Sequence, residues 1–184
     1  MELNKDNGSW IIHVTFKMGL VYMKWGRYDS AIRHFQGVLD YSSSIQSFPL
    51  EVIATFHEHL AMAYEKQRKY KEALNHWEKL LEIQTKIFEP FSIEIADTYL
   101  SMAENYLMLL EFGRVIEMWH KVKSVHLNPL SPNYNAASFL FNQMENPDTS
   151  SPEYIKTLLL QLRSHSASVK LKAQPSYISE KTEL

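Results

Sequence analysis

The 184-residue sequence contains no cysteine and only five glycines. Without cysteine the chain can form no disulfide framework and offers no thiolate to a metal or a substrate. No stretch approaches the roughly 18 consecutive apolar residues that read as a membrane span, and the N-terminus lacks the apolar core of a secretory signal. These absences predict a cytoplasmic protein with no membrane segment.

Charge of one sign is not in excess either. The chain has 19 basic and 21 acidic side chains and a net charge of −2, which gives no electrostatic footprint for nucleic acid. The sequence also lacks a glycine-rich phosphate loop and a nucleophile elbow. We therefore expect no nucleic-acid partner, no cofactor and no enzymatic activity.

What the chain does have is an internal repeat, with a period of about 42 residues. Tyr22, Tyr64 and Tyr106 are equally spaced at this interval, and three further columns keep it. These columns are Tyr28, Tyr70 and Phe112; Ala31, Ala73 and Val115; and Phe35, Trp77 and Trp119. The apolar residues around them recur at i, i+3, i+4 and i+7, which is typical of amphipathic helices. The pattern predicts helical hairpins repeated along the chain, with Tyr64, Ala73 and Trp77 in the core of the central one.

A small residue, Gly19, Ala61 or Ala103, precedes the tyrosine in each copy. The order of small residue, tyrosine, aromatic, alanine and large aromatic resembles the tetratricopeptide repeat, whose usual period is about 34 residues. The longer period is similar to the kinesin-light-chain variety, as are the segments 48–52 and 89–96. The resemblance implies an all-α fold, a right-handed α-solenoid of helical hairpins that binds proteins.

The repeat divides the chain into a solenoid at 9–165 and a flexible tail at 166–184. Its repeats fall at about 10–42, 50–86 and 92–127, with a degenerate fourth at 132–165. Ser9 is the predicted N-cap of the first helix, and Pro49 suits the first turn of the third. At the C-terminus, Thr-x-Leu at 182–184 fits the pattern that PDZ domains bind, although an ordinary tail is the alternative.

Histidines give no metal site in this pattern. His57 and His59 lie about 200° apart on one helix and cannot share an ion. His34 and His76 each precede the large aromatic of their copy, so a preference of the repeat position explains them.

The start of the first helix is unusually apolar, with Trp10 and Ile11 as its first residues. A terminal repeat normally carries a polar outer face because no neighbour covers it. Either the polar lead-in folds over these residues, or the chain is a shortened form of a longer solenoid, or this end packs on a partner.

A candidate binding groove follows from helix geometry. When each repeat tyrosine is the reference and each residue turns the helix by about 100°, the residues six before, two before and one after it form a second stripe beside the core stripe. In tetratricopeptide folds this side of the first helices lines a concave groove. The stripe consists of Phe16, Leu20 and Met23; of Glu58, Met62 and Glu65; and of Leu100, Glu104 and Leu107.

The groove combines apolar side chains with three carboxylates and contains no lysine, arginine or asparagine. It therefore lacks both the basic clamp of chaperone-binding tetratricopeptide domains and the asparagine ladder of kinesin light chains. We expect a protein partner that presents apolar and basic side chains. The alternative for Phe16, Leu20, Leu100 and Leu107 is that the next helix covers them.

Two functions remain open. The first is a non-catalytic adaptor or scaffold that binds a partner segment in this groove. The second is a structural subunit of a larger assembly, with cytoskeletal or ciliary association, that packs end to end through Trp10 and Ile11.

Overall fold

The computed structural model describes residues 5–43 and 48–127, together with residues 153, 156, 157, 159–161, 163 and 164. Six α-helices fill the first two ranges, and no strand occurs among the described residues. The helices are α1 (Lys5–Lys24), α2 (Tyr28–Ser43), α3 (Leu50–Lys66), α4 (Tyr70–Ile87), α5 (Ile93–Met108) and α6 (Phe112–His126). The described positions between 153 and 164 are also helical. The chain divides into two compact units, Met1–Ile87 and Phe88–Leu184.

The two helices of each hairpin are joined by the same short turn. Its left-handed residue is Gly26 (φ 70°) after α1, Arg68 (φ 60°) after α3 and Leu110 (φ 60°) after α5. In each turn the following residue donates its N–H to the carbonyl oxygen of the repeat tyrosine over 2.9 Å. This bond closes the last turn of the first helix as the chain reverses. The repeat of side chains is therefore also a repeat of backbone geometry.

One core cluster of the first unit lies between α1, α2 and α3. Ala31, Phe35, Phe56 and Leu60 are at most 2% exposed and belong to one buried cluster. Gly19 allows α1 to approach this cluster, since a Cβ there would lie 2.2 Å from Cε1 of Phe35. Gly19 thus marks a point of close approach between the two helices of the first hairpin.

The central hairpin, α3 and α4, buries two of the three residues that the sequence assigns to its core. Ala73 and Trp77 are 0% and 5% exposed, as predicted. Tyr64 is half-buried, and its ring stacks on that of His76 with centroids 5.4 Å apart. The indole N–H of Trp77 donates to Oε1 of Glu65 over 2.8 Å. The polar group of the buried aromatic therefore has an acceptor.

In the second unit α5 packs against α6. Ala103, Val115 and Trp119, the third members of their columns, are at most 4% exposed. Ser92 caps α5, since its hydroxyl accepts the N–H of Ile95 over 3.4 Å and satisfies one free donor of the first turn.

Two predicted helix starts differ from the structure. α1 begins at Lys5, so Ser9 lies inside the helix and does not cap it, because the polar lead-in contains no proline that would break the helical backbone. α3 begins at Leu50, and Pro49 is its N-cap residue rather than part of its first turn.

The apolar start of α1 is open to solvent. Trp10 is 67% exposed and Ile11 is 52% exposed. Residues 5–8 of the lead-in continue the helix and leave Trp10 and Ile11 exposed, while residues 1–4 lie outside the described residues.

Several predictions concern residues outside those described. They are the first part of the degenerate fourth repeat at 132–152, the tail at 166–184 and the C-terminal motif at 182–184. The division into a solenoid at 9–165 and a tail stays a prediction.

Candidate binding surfaces

In the first copy, the predicted groove residues face the next hairpin. Phe16, Leu20 and Met23 are half-buried and pack against the core cluster of α2 and α3. The ring of Phe16 lies 5.6 Å from that of Phe56 and 4.9 Å from that of His59, centroid to centroid. These side chains mainly join the first hairpin to α3, which is the alternative stated for Phe16 and Leu20.

In the second copy, the predicted groove is open along α3. Glu58 is exposed and Met62 is 37% exposed, one turn apart on the same face. Glu65 is half-buried and accepts the hydrogen bond of the Trp77 indole. Glu58 and Met62 are therefore accessible to a partner, while Glu65 also has a structural role.

Glu51 extends this surface, and sequence reasoning missed it. It is exposed in the first turn of α3, seven residues before Glu58. Seven residues are two helical turns, so both carboxylates lie on one face. A search for acids at heptad spacing would have found it. We call Glu51, Glu58, Met62 and Glu65 the α3 surface.

In the third copy, the predicted groove is largely closed. Leu100 is 0% exposed and Leu107 is half-buried. The carboxylate of Glu104 pairs with the guanidinium of Arg163, at 3.0 Å from Nε and 2.8 Å from Nη2. Nη2 of Arg163 also donates to the hydroxyl of Ser101 over 3.3 Å. We therefore remove Leu100 from the candidate surface, because its side chain is inaccessible.

Arg163 is the second residue that sequence reasoning missed. It follows Glu104 by 59 residues, a separation at which no helical or heptad pattern connects two side chains. Only the return of the C-terminal helical positions to α5 brings the two charges together.

A histidine pair, in which His57 is buried and His76 is half-buried, joins α3 and α4. Nδ1 of His57 lies 3.0 Å from Nδ1 of His76, so one ring donates and the other accepts. Burial lowers the pKa of His57 to about 4, with a smaller contribution from the ammonium of Lys79. Burial also lowers the pKa of His76 to about 4, with a smaller contribution from His57. Both rings are therefore neutral at pH 7.

Among the described residues, the histidine pair has no third metal-ligating side chain beside it. Within the described ranges, no group of three or more His, Cys, Asp or Glu side chains could hold a metal ion. The pair therefore acts as a polar link between two helices.

Comparison with known proteins identifies the class. Sequence profiles of the tetratricopeptide repeat family match residues 13–44 and 51–118. The chain belongs to the tetratricopeptide repeat family. No curated protein sequence matches it significantly.

Solved structures show the same fold. BtubC (BKLC) from P. vanneervenii is 18% identical with a TM-score of 0.63, over 100% of this chain and 73% of that one. The kinesin light chain TPR-like repeats of a Podosopora anserina protein are 15% identical with a TM-score of 0.55, over 90% of this chain and 77% of theirs. A single-substitution variant of those repeats has a TM-score of 0.56. The predicted fold class, an all-α solenoid of tetratricopeptide hairpins, is confirmed.

Hydropathy adds one result. None of the helices in the described part of the chain is both long and apolar enough to cross a membrane.

Proposed function

We propose that this chain is a non-catalytic protein–protein interaction scaffold whose α3 surface binds a partner segment. The observation that carries the proposal is the exposure of Glu58 and Met62 on a helix whose opposite face is buried. Exposed carboxylates beside an apolar side chain suit a partner that offers both basic and apolar groups. Tetratricopeptide proteins generally serve as interaction modules, which agrees with this role.

The chain itself contains a model for the basic contact. In the third copy, Glu104 of the predicted stripe binds the guanidinium of Arg163 in a bidentate pair. Such partly exposed pairs contribute about 0.2–1 kcal/mol each. Apolar contacts must therefore supply most of the affinity, whereas the carboxylates set partner choice and association rate.

The test reverses charge on the α3 surface. A peptide helix with leucines along one face and lysines seven residues apart should bind the Glu51→Lys/Glu58→Lys variant about tenfold more weakly than it binds the wild type. Fluorescence anisotropy measures the difference. Glu104 is left intact, because a lysine there would face Arg163 and disturb α5.

A matched control lies on α4. Glu72→Lys/Glu78→Lys also changes one first-turn and one mid-helix acid, both exposed, and should leave binding unchanged. Equal binding by wild type and the α3 variant across salt concentrations would remove the α3 surface from the proposal.

The alternative is a structural subunit of a larger assembly. The exposed Trp10 and Ile11 favour it, because large exposed apolar groups near a solenoid end mark a contact surface. Sedimentation of wild type and Trp10→Ser/Ile11→Ser over a range of concentrations distinguishes the candidates. Self-association that the variant loses supports the structural subunit.

The location that we propose is the cytoplasm, at a cytoskeletal or ciliary assembly. The likeness to kinesin light chain repeats supports this setting. Imaging of the tagged full chain tests it, and exclusive localisation in the nucleus or a secretory compartment would contradict it.

A further inference from the structure

α1 has an apolar face on the side opposite to the core. Trp10, Met18, Val21 and Trp25 are between 41% and 67% exposed. Measured around the helix axis from Val14, they fall within about 40° on either side, whereas the core-facing Phe16 lies near 200°. Ile11 extends this face at about 60°. We call Trp10, Ile11, Val14, Met18, Val21 and Trp25 the α1 outer face.

This face contains a depression. The short side chains of Val14 and Val21 lie between larger neighbours and leave a hollow of about 320 Å³. Met18 and Trp25 form its walls, and within the part of the chain that the structure describes all lining residues come from this helix and the residue that follows it. Such a hollow accepts a projecting side chain of another helix, as in knobs-into-holes packing.

The charge along one edge is uniformly basic. Lys17 and Lys24 are exposed and seven residues apart, so they lie on the same side of the apolar face. The guanidinium of Arg27 lies over the Trp25 ring, 5.9 Å from its centroid. The sequence from Trp10 to Arg27 contains no aspartate or glutamate. An occupant must therefore offer apolar side chains together with negative charge.

We propose that the α1 outer face binds an amphipathic helix of a partner protein, with carboxylates seven residues apart along one flank. Two turns of such a helix span about 10.5 Å, which matches the rise between Lys17 and Lys24. The inference rests on the scaffold role proposed above and adds a second surface of opposite charge preference. The partner helix fills the hollow and pairs its acids with the two lysines.

A second copy of this chain fits less well. Antiparallel packing of two α1 helices places Lys17 and Lys24 against the same residues of the other copy, and parallel packing offers them no acid. The α3 surface has acids at the right spacing, but Met62 is its only apolar member. It cannot cover a face with two tryptophans.

The test uses two peptide helices. Both carry leucine at heptad positions a and d; one has glutamate and the other glutamine along one flank, because a lysine flank would also suit the α3 surface. Fluorescence anisotropy with the full chain is measured below the concentration at which the peptides self-associate. The glutamate peptide should bind wild type about tenfold more tightly than the glutamine peptide. Lys17→Glu/Lys24→Glu should reverse this preference, and Val21→Asp should abolish binding of the glutamate peptide.

The matched control is Lys79→Glu/Lys86→Glu on α4, which makes the same charge change at the same spacing on exposed positions. It should bind the glutamate peptide like wild type. Melting curves by circular dichroism should differ only slightly among the four proteins, since every substituted residue is exposed and the Lys86–Glu82 ion pair that the control removes is a surface pair.

Four results would overturn the proposal. Both peptides bind wild type equally, or the α1 reversal leaves the preference unchanged. Neither peptide binds while phosphatidylserine vesicles bind through Lys17 and Lys24, which assigns the face to a membrane. The wild type dimerises and Val21→Asp is monomeric, which assigns it to a second copy. Failure of the α3 surface would instead appear with the Glu51→Lys/Glu58→Lys variant, so the two proposals fail separately.

Discussion

At the scale of single residues, the approach of α1 to α2 depends on the absence of one carbon atom. A Cβ at Gly19 would lie 2.2 Å from Cε1 and 2.6 Å from Cζ of Phe35. The Phe35 ring is fully buried and contacts the rings of Phe16 and Phe56. It therefore cannot turn aside without moving its neighbours.

Gly19→Ala should destabilise the protein by about 1–3 kcal/mol, because overpacking outweighs the gain in helix propensity. Gly37→Ala is the control, since nothing lies within 4 Å of its added Cβ. It should stabilise by about 0.5–1 kcal/mol. Urea unfolding of both variants measures the difference. If both substitutions stabilise the protein, the contact between Gly19 and the Phe35 ring is not close-packed.

The histidine pair makes stability depend on pH. Both pKa values are about 4 in the fold, below the ordinary value of about 6.5 in the unfolded chain. The unfolded state therefore binds more protons between these values. The contribution of the pair is complete above about pH 6.5 and is lost as pH falls towards 4.

His57→Gln should flatten the fall in Tm between about pH 6.5 and pH 4.5 relative to wild type. The other titrating groups remain, so the difference between the two curves reports His57 and its effect on the pKa of His76. Parallel curves for the two proteins would show that His57 does not titrate on unfolding.

At the scale of elements, three turns share one backbone geometry but not one sequence. Gly26 takes the left-handed position without strain, whereas Arg68 and Leu110 hold it with a Cβ. For L-residues this conformation costs about 1–2 kcal/mol. The repeat tolerates that cost because the bond to the tyrosine carbonyl and the packing of both helices fix the turn.

Leu110→Gly should stabilise the protein by about 0.5–1 kcal/mol. The relief of backbone strain in the folded state should exceed the larger entropy that glycine loses on folding. Leu110 is 71% exposed, so little packing is lost. Leu110→Ala is the control, because it keeps the Cβ and should gain nothing. A thermal melt in which alanine and glycine shift Tm equally would attribute the effect to the removed side chain instead of the backbone.

At the scale of the molecule, the first unit presents two helix surfaces of opposite character. The α3 surface carries carboxylates beside little apolar area, and the α1 outer face carries a broad apolar area beside lysines. Because their charges are opposite, the two surfaces should select different partners. Physiological salt screens exposed charges beyond about 8 Å, so the charges of one surface should have little effect on the other.

Binding at the two surfaces should be independent. Glu51→Lys/Glu58→Lys should leave the affinity of the glutamate peptide within about twofold of wild type at physiological salt, since distant exposed sites act additively. Fluorescence anisotropy of the glutamate peptide, measured separately with wild type and with this variant, gives the coupling. Loss of glutamate-peptide binding in the α3 variant would contradict the assignment of two independent sites.

The sequence by itself determined the repeat, the hairpins and the columns of the core. Periodicity carries this information because each copy must bury the same face, so Ala73, Trp77 and Val115 occupy predictable positions. The pattern of acids on α3 was also present in the sequence, and the heptad from Glu58 back to Glu51 could have been read there.

Only the tertiary structure decided which side of each first helix stays accessible. Phe16, Glu58 and Leu100 hold the same repeat position, yet the first packs on α3, the second is exposed and the third is buried. Helix periodicity gives the angle of a side chain but not what lies opposite to it. The pairing of Glu104 with Arg163 shows the same limit, because a contact across 59 residues depends on how the chain returns.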